Sequence, residues 1–178
     1  MSKIEYQFYP KWMPSPAWVT DVVTVFINNQ DKISTTSNEL RSNEVLEAVR
    51  SDLEILGFEV EKSGSSNRSL ARPVYFGRNG NPERQYQIDA YNISLALALE
   101  IEAGRAIMGN AIYRDIIQMS LMLDVEFGVI ACPINYRYYS DGKAQLNKSF
   151  EASCSIIDAI YASARLNLPF KGLLLLGY

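Results

Sequence analysis

Apolar residues recur every three to four positions in four segments of the chain, which is typical of helices with one buried face. The predicted helices span residues 17–30, 43–57, 110–124 and about 149–166. Candidate capping residues flank them: Ser15 with Pro16 in the first turn, Ser42 or Asn43, Asn110, and Gly57 at the end of the second helix.

Shorter segments alternate between apolar and polar residues, or are apolar throughout, and these patterns predict strands. The predicted strands span residues 3–9, 58–62, 73–77, about 85–91, 95–102, 126–134 and 172–178. Residues 63–72 are polar and predict a loop. Residues 135–148 are polar and aromatic, and the predicted turns lie at Asn79-Gly80 and Asp141-Gly142. The order of elements predicts one α/β domain over residues 1–178, with a central mixed β-sheet flanked by helices on both sides.

Composition narrows the possible chemistry. The 178 residues include no histidine, which excludes histidine triads and most zinc sites. Cys132 and Cys154 lie in apolar runs without metal-binding spacing, so we expect reduced cysteines and a cytoplasmic location. We also expect no signal peptide and no membrane span. The net charge of −3 means that any contact with nucleic acid must use a local basic patch.

Three carboxylates occur where the pattern otherwise predicts buried strands. In the strand predicted at 95–102, the side chains of Ala96, Ala98, Glu100 and Glu102 alternate with Leu95, Leu97, Leu99 and Ile101. A tight connection would bring Asp89 alongside Glu100. Three converging carboxylates repel one another unless they are solvated, protonated or neutralised, and Mg²⁺ or Mn²⁺ is the natural counterion for oxygen ligands.

The acidic face also has simpler interpretations. It can be an ordinary solvated face, or Arg105 can pair with Glu102 or Glu100. A pair of carboxylates also serves glycoside hydrolysis, but two acids on the same face of one strand would not flank a sugar.

The context of these acids adds a family resemblance. The arrangement 88-IDAY, then 97-LALEIEAG-104, a helix with 113-YRD-115 and the strand 126-EFGVIACPI-134 resembles the PD-(D/E)xK nuclease superfamily. It looks most like the BamHI/BglII-type branch of restriction endonucleases, and the similar region covers about residues 43–134. In the superfamily, an acid at the start of one strand precedes an acid, a spacer and usually a lysine on the next.

The resemblance implies a restriction-endonuclease-like fold and a role for each acid. Asp89 and Glu100 would hold Mg²⁺ or Mn²⁺. Glu102 stands where lysine is usual and would orient or activate the attacking water; the BamHI-type branch itself has an acidic or amide residue there. A helix acid near the metal is also common in the family, and Glu44 and Glu47 are the candidates. Both lie opposite the apolar stripe of their helix, which favours ordinary solvated charges.

Basic residues are concentrated just before the two predicted strands that carry Asp89, Glu100 and Glu102. Residues 62–84 contain five basic residues and one acid, a net charge of +4, whereas the rest of the chain carries −7. This asymmetry suits phosphate contact, although a solvated loop would look the same. The candidate nucleic-acid-binding residues, here and elsewhere, are Arg68, Arg72, Arg78, Arg84, Arg105, Arg114 and Arg137. Beside Arg137, Tyr136, Tyr138 and Tyr139 can stack on bases or simply pack.

Together these features predict a metal-dependent endonuclease that hydrolyses DNA phosphodiester bonds, and the resemblance suggests a type II restriction enzyme as the particular case. A homodimer is the expected assembly, because cutting both strands symmetrically suits two-fold symmetry. The alternative is a non-catalytic nucleic-acid-binding or protein-interaction module that keeps the nuclease fold. The acidic pI and the missing lysine favour that alternative.

Overall fold

The computed structural model describes residues 4–34, 40–62, 70–104, 110–140 and 142–178. Its helices are α1 (Ala17–Asn28), α2 (Gln30–Ile33), α3 (Ser42–Ile55), α4 (Ala111–Leu121) and α5 (Ser149–Ser163). Its strands are β1 (Glu5–Tyr9), β2 (Glu59–Val60), β3 (Ala71–Phe76), β4 (Pro82–Gln87), β5 (Ala90–Asn92), β6 (Leu97–Ile101), β7 (Phe127–Cys132), β8 (Tyr136–Ser140), β9 (Lys143–Asn147) and β10 (Gly172–Gly177).

Six strands form the central sheet in the order β1-β10-β7-β6-β5-β2. Strands β10, β7 and β6 are parallel, and the remaining neighbours pair antiparallel. The sheet is therefore mixed, as the sequence predicted. Two hairpins, β3–β4 and β8–β9, lie outside it as separate two-stranded sheets.

Both faces of the sheet are buried, which explains the continuous apolar runs of its parallel strands. Alternating residues of β6 divide between two hydrophobic clusters: Leu97, Leu99 and Ile101 pack with the apolar faces of α1 and α3. Ala98 joins the opposite cluster, to which α4 and α5 contribute. The predicted arrangement of helices on both sides of a mixed sheet is confirmed.

The two strands predicted to carry the three acids, at 85–91 and 95–102, differ from the prediction in two respects. The strand expected at 85–91 divides: residues 82–87 form β4, which pairs with β3, and residues 90–92 form β5. The next strand starts at Leu97 rather than at residue 95, since Ala96 adopts a left-handed φ of +50° and the Asn92 side chain accepts the Leu95 N–H. Ala96 therefore does not share the acidic face of the strand, and Leu95 is exposed rather than in the core.

Helix starts also differ from the predictions. Pro16 lies at the cap of α1 rather than in its first turn, and no side chain caps this end. Helix α3 starts after Arg41, whose backbone N–H donates to the Glu44 carboxylate at 2.7 Å. Asn110 is at the cap position of α4 but makes no side-chain capping bond. The positive φ that suits the turn at Asn79-Gly80 is observed at both residues, and Gly57 after α3 and Gly142 in the β8–β9 turn have positive φ as well.

Most of the predicted loop at 63–72 lies outside the described residues, and its last two residues belong to β3. The segment 135–148, predicted as polar and aromatic with a turn at Asp141-Gly142, forms the hairpin β8–β9, and Asp141 lies outside the described residues. In the described part of the chain, no helix combines the length and apolar character that crossing a bilayer requires.

Candidate active site

Three acids that the sequence singled out lie at one end of β6. Glu100 is in the strand, Glu102 directly follows it, and Asp89 immediately precedes the antiparallel neighbour β5. The Asp89 carboxylate accepts the backbone N–H of Ile101 at 2.7 Å, which ties it to β6. On the other side, Glu102 donates its backbone N–H to the Ala131 carbonyl at 2.8 Å, which ties it to β7. The sheet itself therefore brings the three carboxyls together.

Asp89 and Glu100 form a pair of neighbouring carboxyls. Their side chains are hydrogen-bonded to each other. Burial, followed by the charges of Asp89 and Asp115, raises the pKa of Glu100 well above its ordinary value. Burial raises the pKa of Asp89 to about 6, against the stabilising bonds from Ile101 and Glu100. Glu100 is therefore the acid of the pair that keeps its proton to higher pH, and Asp89 is the one that ionises first.

A second acidic pair lies beside the first. Burial, then the charge and hydrogen bond of Asp115, raises the pKa of Glu102 to about 7, and Arg114 opposes this rise. Arg114 Nη2 lies 2.5 Å from Glu102 Oε1 and 2.8 Å from Asp115 Oδ1, and Arg114 Nε donates to the same Asp115 oxygen at 2.8 Å. Burial raises the pKa of Asp115 as well. The site is thus four carboxyls with one guanidinium at its edge.

Asp115 lies within the motif 113-YRD-115, but the sequence pattern assigned it no role. The side chain is only 1% exposed, on the face of α4 formed by Ile112, Ile116 and Met119. The sequence did contain one signal for Asp115. It is a charged residue at a position where the helical spacing of apolar residues predicts an apolar one.

Two further residues next to the acids were also missed. The Glu61 backbone N–H donates to the Asp89 carbonyl at 2.8 Å, and its charge contributes to the raised pKa of Asp89. The buried Tyr178 hydroxyl donates to the Glu102 carbonyl at 3.2 Å. Both depend on contacts between distant parts of the sheet, so no local motif marks them.

The donor set suits a hard divalent cation, since it consists of carboxylate oxygens alone. One of them, Asp115 Oδ2, is buried without an amide, guanidinium or hydroxyl donor among the described residues. In the same described ranges, however, no three acidic or cysteine side chains form a ready-made cage for a metal ion. Burial and the neighbouring acids favour the protonated forms of these carboxyls, so holding a cation requires them to ionise and adjust.

The two candidate helix acids lie elsewhere in the bonding network. Glu44 accepts the Arg41 backbone N–H at the start of α3, and Glu47 forms an exposed ion pair with Arg50 at 2.7 Å. Among the described contacts, neither is bonded to the acids at the end of β6. Their placement matches the solvated-charge alternative.

The candidate basic residues occupy different environments. Arg72 forms an ion pair with Asp124 and lies over the Tyr91 ring, 4.0 Å from its centroid, so its charge is already used within the fold. Arg78 and Arg84 are exposed on the β3–β4 hairpin, and Arg84 lies 5.2 Å from the Tyr86 ring centroid. Arg68 lies outside the described residues.

The remaining basic candidates described by the structure lie nearer to the acids or on the β8–β9 hairpin. Arg114 is 57% exposed, although it is paired with Glu102 and Asp115. Arg137 is exposed on β8. Its neighbour Tyr136 packs closely over Gly104 and stacks on Tyr138, so packing accounts for this pair of tyrosines. Arg105, considered as a partner of the acids, lies outside the described residues, as does the Tyr139 side chain.

The fold is that of the restriction endonucleases: the chain superposes on the crystal structure of restriction endonuclease BglII complexed with a DNA 16-mer. The TM-score is 0.56 at 10% sequence identity, over 98% of this chain and 77% of that one. The family model described as "Putative halobacteria restriction endonuclease" matches residues 1–162, and the chain belongs to that family. No curated protein matches the sequence.

Proposed function

We propose that the protein is a divalent-metal-dependent endonuclease that hydrolyses phosphodiester bonds in DNA. The observation that carries the proposal is the cluster of Asp89, Glu100, Glu102 and Asp115 at the end of β6, within a chain of a restriction-endonuclease family. Buried carboxyls without a neutralising partner are costly to the fold, which favours a functional reason for keeping them.

Asp89 and Glu100 are the residues that would hold Mg²⁺ or Mn²⁺. When bound there, the cation would stabilise negative charge on the phosphate and make a nearby water easier to deprotonate. Asp89 keeps its orientation through the bond from the Ile101 N–H, and ionisation of Glu100 would release the Asp89 carboxylate from its hydrogen bond with Glu100. Glu100 must be ionised to bind the cation, and the approach of a positive charge lowers its raised pKa and favours the ionised form.

Glu102 has the protonation behaviour required of a group that orients or deprotonates water. Its pKa of about 7 places it near the working pH, where a general base is most effective. The contact with Arg114 fixes the carboxyl at the edge of the cluster. Glu102 would therefore act on the attacking water, while Asp89 and Glu100 hold the cation.

Exposed arginines on the two hairpins are the proposed DNA contacts. Arg78 and Arg84 on β3–β4, and Arg137 on β8, carry charges that no described ion pair neutralises. Such side chains bind phosphates and position a duplex without reading its sequence. The BglII structure that shares this fold contains DNA, which supports a nucleic-acid substrate for this chain.

We also propose a homodimer, because a two-fold pair of sites matches the symmetry of a duplex cut on both strands. Tyr113, Ile117 and Leu121 form a stripe at i, i+4 and i+8 on the outer face of α4, and they are 44%, 43% and 45% exposed. A second copy of the chain would bury this stripe. The free cysteines, Cys132 and Cys154, fit the reducing cytoplasm as the place of action.

One observation favours the alternative of a non-catalytic module that keeps the fold. Arg114 already contacts Glu102 and Asp115, so part of the acidic charge is neutralised from within the chain. A crystal soaked in Mn²⁺ separates the two cases: anomalous signal between Asp89 and Glu100 supports the enzyme, whereas its absence there supports the non-catalytic module.

The direct test is cleavage of plasmid, linear duplex and single-stranded DNA by purified protein with Mg²⁺, with Mn²⁺ and with EDTA. The proposal predicts cuts with either cation and none with EDTA. If no substrate is cut and calorimetry shows no cation binding, the protein is not this kind of enzyme.

A further inference from the structure

Asp115 is a buried acid at the edge of the site with unsatisfied bonding capacity. Its side chain is 1% exposed inside the α4 layer. Oδ1 accepts the Arg114 Nε–H at 2.8 Å, whereas Oδ2 is buried without an amide, guanidinium or hydroxyl donor among the residues that the structure describes. A buried carboxylate oxygen normally has a partner, and the Glu102 carboxyl is the group that is hydrogen-bonded to Asp115 besides Arg114.

The position of Asp115 is central to the acid cluster. Its charge contributes to the raised pKa of Asp89, of Glu100 and of Glu102. Its carboxyl is also hydrogen-bonded to that of Glu102. Asp115 is therefore within electrostatic reach of all three acids and in contact with one of them.

Arg114 connects Asp115 to Glu102 a second time. The same Nη2 lies 2.8 Å from Asp115 Oδ1 and 2.5 Å from Glu102 Oε1. A guanidinium is a planar group with donors in fixed directions, so the carboxylate that it binds determines where its other donors point. Since the backbone of Glu102 is held by β7, its side chain is the free part, and α4 fixes that part from outside the sheet.

We propose that Asp115 is a positioning residue of the acid site: it holds the Glu102 carboxyl, directly and through Arg114, beside the cation that Asp89 and Glu100 would hold, and the negative charge of Glu102 at that place strengthens the binding of the cation. The inference rests on the proposed metal-dependent function. It adds a helix residue to a site otherwise built from strand ends, and it explains why a charge occupies the apolar face of α4.

The chain offers a matched control for this role. Asp124 is also paired with an arginine, Arg72, and its Oδ1 is likewise buried without a partner among the described residues. That pair holds the β3–β4 hairpin against Tyr91 and has no described contact with the acids of the site. Asp115→Asn and Asp124→Asn therefore remove the same charge from the same kind of pair, inside and outside the site.

The experiment measures Mg²⁺ and Mn²⁺ affinity by calorimetry for wild type, Asp115→Asn, Glu102→Gln and the double variant. We expect Asp115→Asn to weaken cation binding about ten-fold or more, as loss of a supporting partner does at other metal sites. Because Asp115 acts through Glu102, the double variant should bind no more weakly than Glu102→Gln alone. Asp124→Asn should bind as wild type does.

The thermal midpoint in EDTA at pH 8 gives a second readout. A purely structural Asp115 would lower the midpoint when replaced and leave the affinity unchanged, and that result overturns the inference. For a positioning residue we expect the opposite result: the cation affinity falls, while the thermal midpoint stays equal or rises. The midpoint does not fall because Asp115→Asn removes a repelling charge from the cluster. Additive losses in the double variant would also overturn it.

The two proposals fail in different ways. If wild-type protein binds neither cation and cuts no DNA, the proposed function is wrong. If wild type binds and cuts, but the affinity of Asp115→Asn stays within about two-fold of it, only the positioning role is wrong.

Discussion

The raised pKa values of the acid cluster predict how the stability of the folded protein changes with pH, and this prediction can be tested without a substrate. A carboxyl whose pKa is higher in the folded than in the unfolded chain binds its proton more tightly when folded. It contributes stability that is fully present below the unfolded pKa and is lost as the pH rises through the folded one. For Asp89, the pH range over which this stability is lost extends from its ordinary pKa of 3.8 to its pKa of about 6 in the folded chain. Glu102 extends this range to about pH 7. The metal-free protein should therefore become less stable between pH 4 and 8.

The magnitude follows from Asp89, which is largely buried. A rise in pKa from 3.8 to about 6 corresponds to on the order of 3 kcal/mol of unfolding free energy, since each pKa unit is worth about 1.4 kcal/mol. Asp89→Asn removes the ionisation, and its amide oxygen can still accept the Ile101 N–H. At pH 8 in EDTA, the variant should be more stable than wild type by up to roughly 3 kcal/mol, or about 6–12 °C in thermal midpoint.

The assay is urea unfolding in EDTA at pH 5 and pH 8, followed by circular dichroism and by tryptophan fluorescence. The advantage of Asp89→Asn should be large at pH 8 and small at pH 5. Added Mg²⁺ should raise the stability of wild type at pH 8 more than that of the variant, because only wild type keeps both proposed ligands. Asp158→Asn, which changes an exposed acid paired with Lys11, serves as the control.

A wild-type stability in EDTA that stays level or rises from pH 5 to pH 8 would refute the assigned protonation of the cluster. An Asp89→Asn variant less stable than wild type at pH 8 would refute it equally, since Asp89 would then stabilise the fold as an anion.

Three further substitutions test the fold, the DNA surface and the dimer. Leu99→Ala shortens a fully buried side chain of β6 and should lower the free energy of unfolding in urea by about 2–5 kcal/mol. Ile55→Ala, at an 81% exposed position, should lower it hardly at all. Equal losses of stability in the two variants would contradict the assigned core. Arg84→Ala should lower the salt dependence of DNA binding by about one unit of slope, measured by fluorescence anisotropy without divalent metal, whereas Lys171→Ala should not. Ile117→Glu should shift the protein toward monomer in sedimentation velocity, with the exposed Ile27→Glu on α1 as control; a monomeric wild type would contradict the dimer.

The sequence predicted the layers of the fold because its apolar runs carry that information directly. Strands β7 and β10 are apolar on both faces, which indicates central strands covered from both sides. The strand break at Asp89 was not predicted. Residues 85–91 alternate as one strand would, but residues 82–87 pair locally with β3, and nothing in the alternation says which partner a strand will choose.

The candidate site was predictable in part for the same reason. Glu100 and Glu102 lie two residues apart on one strand, so their shared face follows from strand geometry. The approach of Asp115 from α4 could not be predicted in that way, because it depends on how a helix packs on the sheet. Arg114 was a candidate for reaching either the site or a phosphate, and the structure shows it bound to two acids of the site, Glu102 and Asp115.

The central claim is that the acids at the end of β6 form the catalytic centre of a metal-dependent nuclease. The most direct measurement compares the rates at which wild type and Glu100→Gln nick supercoiled DNA at saturating Mg²⁺, with Glu47→Gln as a surface-acid control. We predict that Glu100→Gln is slower by roughly 100-fold or more, since loss of a ligand should cost at least as much as loss of its supporting partners, and that Glu47→Gln matches wild type. Equal rates for wild type and Glu100→Gln would contradict the claim.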